Sequence, residues 1–181
     1  MNPAKVGGED LRLEVDFEGG GVPVAVNGER MELPQLISLM NKLVGMHGFG
    51  RVDHVENRAV GGFKSREVYE APAALALIRA HKDLEKLVYT PSELRFKRLV
   101  DREWADLVYR GGLWHEPPLR AELDGLARSM NRWVTGGSVK LVVRGGLTVA
   151  GRSSPPYSGY DEELAGYVRV GTQAMMRPGD S

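Results

Sequence analysis

The sequence predicts a single α+β domain in which two β-hairpins and a further strand pack against about four helices. Alternating apolar residues mark short strands towards both ends of the chain, and apolar residues at helical spacing fill the region between them. Hairpins that bracket a run of helices are typical of the α+β class. With 181 residues, the chain is long enough to bury one substantial core.

Both hairpins are predicted from alternation interrupted by turn residues. Near the N-terminus, apolar and charged residues alternate over 11–17, and a glycine turn separates them from a second alternating run at 22–26. An Asn-Gly turn at 27–28 closes this unit, because the dipeptide readily adopts positive φ. The second hairpin is predicted to join 139–143 to 147–149 through a Gly-Gly turn.

Four helices are predicted between the hairpins, each with a proline near its start, where the missing N–H is tolerated. They run from about Leu33 to Val44, from Pro72 to about Val88, from the Thr90–Glu93 capping box to Gly111, and from Pro117 to Trp133. A short helix is expected at 161–167. We expect a domain over 11–168, a flexible N-terminus at 1–10 and a frayed tail at 169–181.

Composition narrows the possible functions. Lys plus Arg and Asp plus Glu each number 24, and this zero net charge argues against a general nucleic-acid binder. The absence of cysteine excludes disulfides and thiolate metal sites. No apolar run approaches the ~20 residues that span a bilayer, and residues 1–10 lack a signal-peptide core. We therefore expect a cytoplasmic protein that binds neither nucleic acid nor membrane.

The remaining polar features of the helices favour structural roles. His47 stands in a glycine-containing loop without a second histidine at ligand spacing, so we expect local hydrogen bonding and no metal site. His81 is predicted to lie at a surface or interface. The charges of the third helix, Lys97 among them, mix both signs and are typical of a solvated face.

The richest polar chemistry lies between Gly50 and Ala74. A short strand is predicted to end around Glu56, and a loop beyond a Gly-Gly break carries the polar residues 64–70. Loops positioned by rigid elements commonly carry binding groups.

Two interpretations of these polar residues are possible from residue types alone. Candidate ligands of a polar, zwitterionic molecule are Glu56, Lys64, Ser65, Arg66 and Tyr69. A carboxylate accepts from amine or ureido N–H groups, a phenol donates to oxygen, and cationic side chains bind carboxylate or phosphate. The alternative is a solvated strand end in which Glu56 pairs with Arg58 or Arg66.

Six motifs occur in order along the chain. They are GVPVAVNGE at 21–29, HGFGRVDHVENR at 47–58, KSREVYEAPAA at 64–74, DLVYRGGLW at 106–114, RWVTGG at 132–137 and GRSSPPYSGYDEEL at 151–164. Together, from about Leu11 to Tyr167, they resemble the C-terminal synthetase domain of argininosuccinate synthase. The resemblance implies a homotetrameric ligase of arginine biosynthesis that joins citrulline to aspartate and converts ATP, accompanied by Mg²⁺, into AMP and pyrophosphate.

The resemblance also implies roles for two residues. In this family the Glu of the VEN motif and the Tyr of the VYE motif contact citrulline, and here these are Glu56 and Tyr69. The interval between them is one residue longer than in the family, because Gly61-Gly62-Phe63 replaces a glycine and one apolar residue. Since glycine is free at positive φ, we expect the extra residue to bulge outward and both side chains to share one cleft.

What the sequence lacks limits the expected activity. It contains neither the family's SGGxDTS-type pyrophosphate loop nor a Walker motif. ATP and Mg²⁺ would accordingly bind a separate nucleotide-binding domain or chain. We expect the citrulline-binding and oligomerisation half of the ligase, with no catalytic residue of its own and no activity alone. The alternative is a non-catalytic remnant or assembly module of the same fold.

Overall fold

A computed structural model describes residues 8–57 and 62–153, and the described residues form two β-sheets and five helices. The strands are β1 (Leu11–Glu18), β2 (Val22–Val26), β3 (Glu29–Arg30), β4 (Arg51–Asn57), β5 (Lys64–Glu70), β6 (Gly136–Val143) and β7 (Leu147–Ser153). The helices are α1 (Leu33–Met46), α2 (Pro72–Val88), α3 (Pro91–Tyr109), α4 (Gly112–His115) and α5 (Pro117–Asn131). The predicted α+β class is confirmed.

The two predicted hairpins lie side by side in one antiparallel sheet, with strand order β3-β2-β1-β6-β7. β1 pairs with β6 along its whole length, from Leu11 opposite Val143 to Glu18 opposite Gly136. The Asn-Gly turn at 27–28 is confirmed by φ angles of 52° and 78°, and it joins β2 to β3. The alternation in β1 therefore places one face of the strand in the core.

Helices α1 and α2 cover one face of this sheet. Buried residues of the core between them include Leu13, Val15, Phe17, Leu36, Met40, Val44, Ala76, Ala80, Leu84, Val139, Leu141 and Val143. On α1 the buried positions recur every four residues, as helical periodicity requires. Ile37, although next to the buried Leu36, is 39% exposed, because one residue advances the helix by about 100°.

Helices α3, α4 and α5 enclose a second, smaller apolar cluster around Val100, Leu107 and Leu123. The predicted capping box at the start of α3 is confirmed by reciprocal bonds between Thr90 and Glu93. Leu99 on α3 is exposed. The helix turns its neighbour Val100 inward, seven residues from Leu107.

Two charged positions on the helices depart from expectation. Lys97, predicted on a solvated face, is buried and lies 3.0 Å from a carboxylate oxygen of Glu85 and 2.9 Å from one of Asp101. His81, predicted at a surface or interface, is largely buried, with Nδ1 3.2 Å from the same Glu85. A Cβ on Gly21 would come within 2.0 Å of the His81 ring, so this glycine, at φ +71°, allows the packing.

Strands β4 and β5 form a separate two-stranded antiparallel sheet, which we call the arm. Residues 64–70 were predicted as a loop but form β5. The prediction failed because charges dominate this segment and its apolar residues Val68 and Tyr69 are adjacent, so alternation is hidden. Almost all arm residues are exposed or half-buried on both faces, so the arm is not part of the main core.

The base of the arm is closed by a short contact with the start of α2. The amide of Ala71 donates to the carbonyl of Gly50 over 2.8 Å. Gly50 has φ +118°, and a Cβ there would lie 2.5 Å from the Cα of Pro72, so only glycine fits. The predicted helix at 161–167 and the tail from 169 lie outside the described residues, as do residues 1–7 and 58–61.

Candidate functional site

The register of the arm decides which side chains share a face. Tyr69 lies opposite Val52, and Ser65 lies opposite Glu56. Directly opposed residues, and residues two or four apart on one strand, point to the same side of a sheet. Glu56, Ser65 and Tyr69 therefore share one face of the arm.

The carboxylate of Glu56 is held between two phenols. The hydroxyl of Tyr69 donates to its Oε1 over 3.3 Å, and the hydroxyl of Tyr109 donates to its Oε2 over 3.3 Å. The Nε2 atom of His54 lies 3.8 Å from Oε2. The side chain of Glu56 is only 22% exposed, whereas Tyr109 is 70% exposed. The carboxylate is thus fixed at the end of β4 by groups from β5 and from the end of α3.

The negative charge of Glu56 contributes to a raised pKa at both phenols. Its carboxylate is the main cause of a raised pKa at Tyr109. Partial burial, followed by the same carboxylate, raises the pKa of Tyr69. Both hydroxyls therefore keep their protons and act as hydrogen-bond donors towards Glu56 at neutral pH.

The opposite face of the arm carries a separate set of ion pairs. Arg66 binds Asp53, with Nη2 2.6 Å from Oδ2, and Arg51 Nε lies 2.6 Å from Glu70 Oε1. The alternative pairing of Arg66 with Glu56 is thus wrong, because the two residues lie on opposite faces. Arg58, the other predicted partner, lies outside the described residues.

Of the five predicted ligand residues, the arm brings together three and separates two. Ser65 shares the face of Glu56 and Tyr69, whereas Lys64 and Arg66 occupy the other face. Strand pairing explains the division, because neighbours along a strand alternate between its faces. The sequence predicts residues 64–66 as one polar cluster on a loop, and the strand that they form divides them between two faces.

Sequence reasoning missed Tyr109. It lies 53 residues from Glu56, at the last position of α3, and helical periodicity gives no hint of a contact with a distant strand. The available signal was its place in the DLVYRGGLW segment, one of the six ordered motifs.

Other features of the described residues bear on metals and membranes. His47 Nδ1 lies 2.8 Å from the carbonyl of Leu43, which confirms the predicted local hydrogen bond. Within 8–57 and 62–153, no group of three or more His, Cys, Asp or Glu residues could hold a metal ion. None of the helices in this part of the chain is long and apolar enough to cross a bilayer.

Fold and site together define an α+β domain with a carboxylate, bracketed by phenols, on a projecting arm. The chain belongs to the family described as the arginosuccinate synthase C-terminal domain, whose model matches residues 1–176. The resemblance inferred from the six motifs is thereby confirmed.

Several similar proteins carry the name argininosuccinate synthase. The protein from Hyperthermus butylicus is 59% identical over 91% of this chain, that from Metallosphaera sedula 60% over 88%, and that from Pyrobaculum aerophilum 55% over 92%. These matches cover 40%, 39% and 41% of the relatives, respectively. The chain thus spans about two fifths of the length of the curated relatives it matches.

Proposed function

We propose that this domain supplies part of the citrulline-binding site of an argininosuccinate synthase, the ligase that joins citrulline to aspartate. The observation that carries the proposal is the shared face of the arm on which Tyr69 donates to Glu56 over 3.3 Å. Family membership supports it, because the similar proteins are named for this activity. The domain would bind and orient substrate and supply no catalytic residue.

The chemistry of Glu56 suits the nitrogen groups of citrulline. An ionised carboxylate offers about four acceptor positions, and the two phenols occupy one on each oxygen. The remaining positions can accept from the α-ammonium or the ureido N–H groups. Tyr69 holds the carboxylate in place and can accept a further hydrogen bond from the amino-acid portion of the ligand.

ATP and Mg²⁺ do not fit the described part of this domain. The sequence has no phosphate-binding glycine loop of the Walker or SGGxDTS type. Residues 8–57 and 62–153 also contain no group of three or more His, Cys, Asp or Glu residues that could hold a metal ion. We therefore propose that ATP and Mg²⁺ bind a separate nucleotide-binding domain or chain.

The proposal is tested by citrulline binding to the 181-residue chain, measured by ligand-observed NMR. Glu56→Gln should weaken binding about 10-fold or more, because a charge-assisted hydrogen bond contributes ~1.5–3 kcal/mol. Tyr69→Phe should weaken it less, since the hydroxyl is neutral. Glu70→Gln is the matched control, because it removes the same charge from the opposite face of the arm. Equal affinities of Glu56→Gln and the unmodified chain would contradict the proposal.

A second candidate function is assembly, favoured by the apolar side chains exposed on α3 and α4. Phe96 and Leu99, three residues apart, are exposed on α3. Trp114 is exposed on α4. Apolar groups clustered on a surface commonly mark an interface. In sedimentation, we expect the chain to exceed the 19.9 kDa of a monomer and Leu99→Glu to lower the measured mass. A monomer at every concentration would contradict the assembly function and leave citrulline binding untouched.

A further inference from the structure

We infer that Tyr109 is a positioning residue of the proposed citrulline site, fixing the Glu56 carboxylate through the oxygen that Tyr69 does not contact. The inference rests on the proposed function. Its basis is the bond from the Tyr109 hydroxyl to Oε2 of Glu56, which complements the bond from Tyr69 to Oε1. With one donor on each oxygen, rotation of the carboxylate about its terminal bond would break both bonds.

Tyr109 also connects two parts of the molecule that otherwise share little. In the part of the chain that the structure describes, this is the one side-chain hydrogen bond between the arm and the helices. A two-stranded hairpin alone is marginally stable in water. The hydrogen bond from Tyr109 at the end of α3 therefore restrains the arm at Glu56. The hydrogen bond between Ala71 and Gly50 holds its base.

The local structure explains how the side chain reaches the arm. Tyr109 is the last residue of α3, and Gly111, in the left-handed region at φ +74°, turns the chain into α4. The ring is 70% exposed, so packing alone does not hold it. Its fixed points are the helix end and the carboxylate, and this arrangement suits a residue that positions another side chain.

Positioning should matter for affinity because a preorganised acceptor loses less entropy when a ligand binds. Without the Tyr109 hydroxyl, the polar side chain that the described residues still place near Oε2 of Glu56 is His54, at 3.8 Å. The carboxylate could then rotate, and an N–H donor of the ligand would have to order it. We therefore expect Tyr109→Phe to weaken citrulline binding about 2- to 12-fold, which corresponds to the ~0.5–1.5 kcal/mol of one hydrogen bond.

The contact itself can be tested without ligand. In the 181-residue chain carrying ¹³Cζ-labelled tyrosine, NMR titration should show a raised pKa for Tyr109 that falls when Glu56 is changed to Gln. Tyr89 is the internal control: burial, followed by Glu85 and Glu93, raises its pKa to about 12, and this value should stay unchanged. An unchanged Tyr109 pKa in Glu56→Gln would overturn the inference.

The binding experiment compares Tyr109→Phe with Tyr89→Phe. The hydroxyl of Tyr89 donates to the carbonyl of Met130 inside the fold, so removing it should lower the melting temperature and leave citrulline affinity unchanged. Tyr109→Phe should instead weaken citrulline binding and leave the melting temperature unchanged. In a Glu56→Gln background, Tyr109→Phe should have little further effect, because a positioning residue acts through the group it positions.

Three results would separate failure of the inference from failure of the proposed function. If Glu56→Gln weakens binding and Tyr109→Phe does not, Tyr109 has no positioning role and the proposed function stands. If Tyr109→Phe has the same effect with and without Glu56, it acts independently and the inference is overturned. If neither substitution alters citrulline affinity, both the proposed function and the inference fail.

Discussion

The five-stranded sheet and the arm are built from similar strands in different surroundings. Val15 of β1 and Val139 of β6 face each other across the sheet and are fully buried. Val55 and Val68, on one face of the arm, are 61% and 59% exposed. The sheet thus owes its stability to burial, whereas the arm depends on strand pairing and exposed side-chain contacts.

This difference assigns separate tasks to the two regions. Burial of apolar area is the dominant favourable term in folding, and the sheet with α1 and α2 supplies it. The arm adds little buried area, yet it carries Glu56 and Tyr69 in defined positions. A site for a polar ligand needs hydrogen-bond acceptors that the ligand can reach, and a ligand could not reach them on a fully buried strand. The predictions below use paired substitutions to test this division.

The largest difference should appear when the same kind of truncation is made in both regions. Leu141→Ala in β6 removes a side chain that is 1% exposed, and we expect a loss of ~2–5 kcal/mol in the free energy of unfolding. Val55→Ala on the arm should change it by less than ~0.5 kcal/mol. Urea denaturation followed by circular dichroism measures both. Comparable losses would contradict the contrast between sheet and arm.

A smaller difference is expected between buried and exposed ion pairs. Lys97→Met keeps most of the side-chain volume but leaves Glu85 with His81 as its remaining partner. Breaking a buried pair typically lowers the free energy of unfolding by ~3–5 kcal/mol. Because His81 still pairs with Glu85, we expect a smaller loss here, near ~2–3 kcal/mol. Arg66→Met on the arm breaks the exposed pair with Asp53 and should cost ~0–1 kcal/mol.

The pH dependence of the Lys97 effect checks its cause. Burial alone would raise the pKa of Glu85, but His81 and Lys97 together lower it below its ordinary 4.5. A lowered pKa contributes stability that is present above the unfolded value and lost as pH falls through the folded value. The difference in the free energy of unfolding between the unmodified chain and Lys97→Met should therefore be full above about pH 5 and shrink below pH 4.5. A constant difference down to acid pH would exclude the ion pair as its cause.

The same contrast explains how much of the fold the sequence predicts. Where burial shapes the pattern, the prediction holds: alternation located β1, and proline with helical spacing located α1 and α2. The arm has no buried face to impose alternation, so the sequence predicts a loop where the structure has β5. Lys97 and His81 were misplaced because their partner, Glu85, lies on a neighbouring turn or another helix, and composition does not show such pairings.

The candidate site divides in the same way. The family resemblance selected Glu56 and Tyr69, and the register of the arm puts both on one face. Strand pairing, which sequence reasoning did not foresee, separates Lys64 and Arg66 from them. Tyr109 reaches Glu56 only through the tertiary arrangement of α3 and the arm. Long-range contacts of this kind leave no local pattern in a single sequence.

The smallest effect is expected for a deletion in the loop of the arm. Deleting Gly62 restores the family interval between Glu56 and Tyr69. Gly62 lies between β4 and β5, is exposed at φ +67°, and an added Cβ would meet nothing within 4 Å. The paired residues of the strands are untouched, so Glu56 should still lie opposite Ser65. We expect a change in the free energy of unfolding within ~0.5 kcal/mol and an unchanged citrulline affinity by NMR.

Deletion of Val68 is the matched control, because it removes one residue from inside β5. A one-residue shift moves every following side chain to the other face of a strand. Tyr69 would then occupy the position opposite Asp53 and could no longer donate to Glu56. Citrulline affinity should fall at least as far as in Tyr69→Phe. If deletion of Gly62 were equally harmful, the position of Tyr69 would depend on the length of the loop, and the pairing of β4 with β5 would not be what fixes the site.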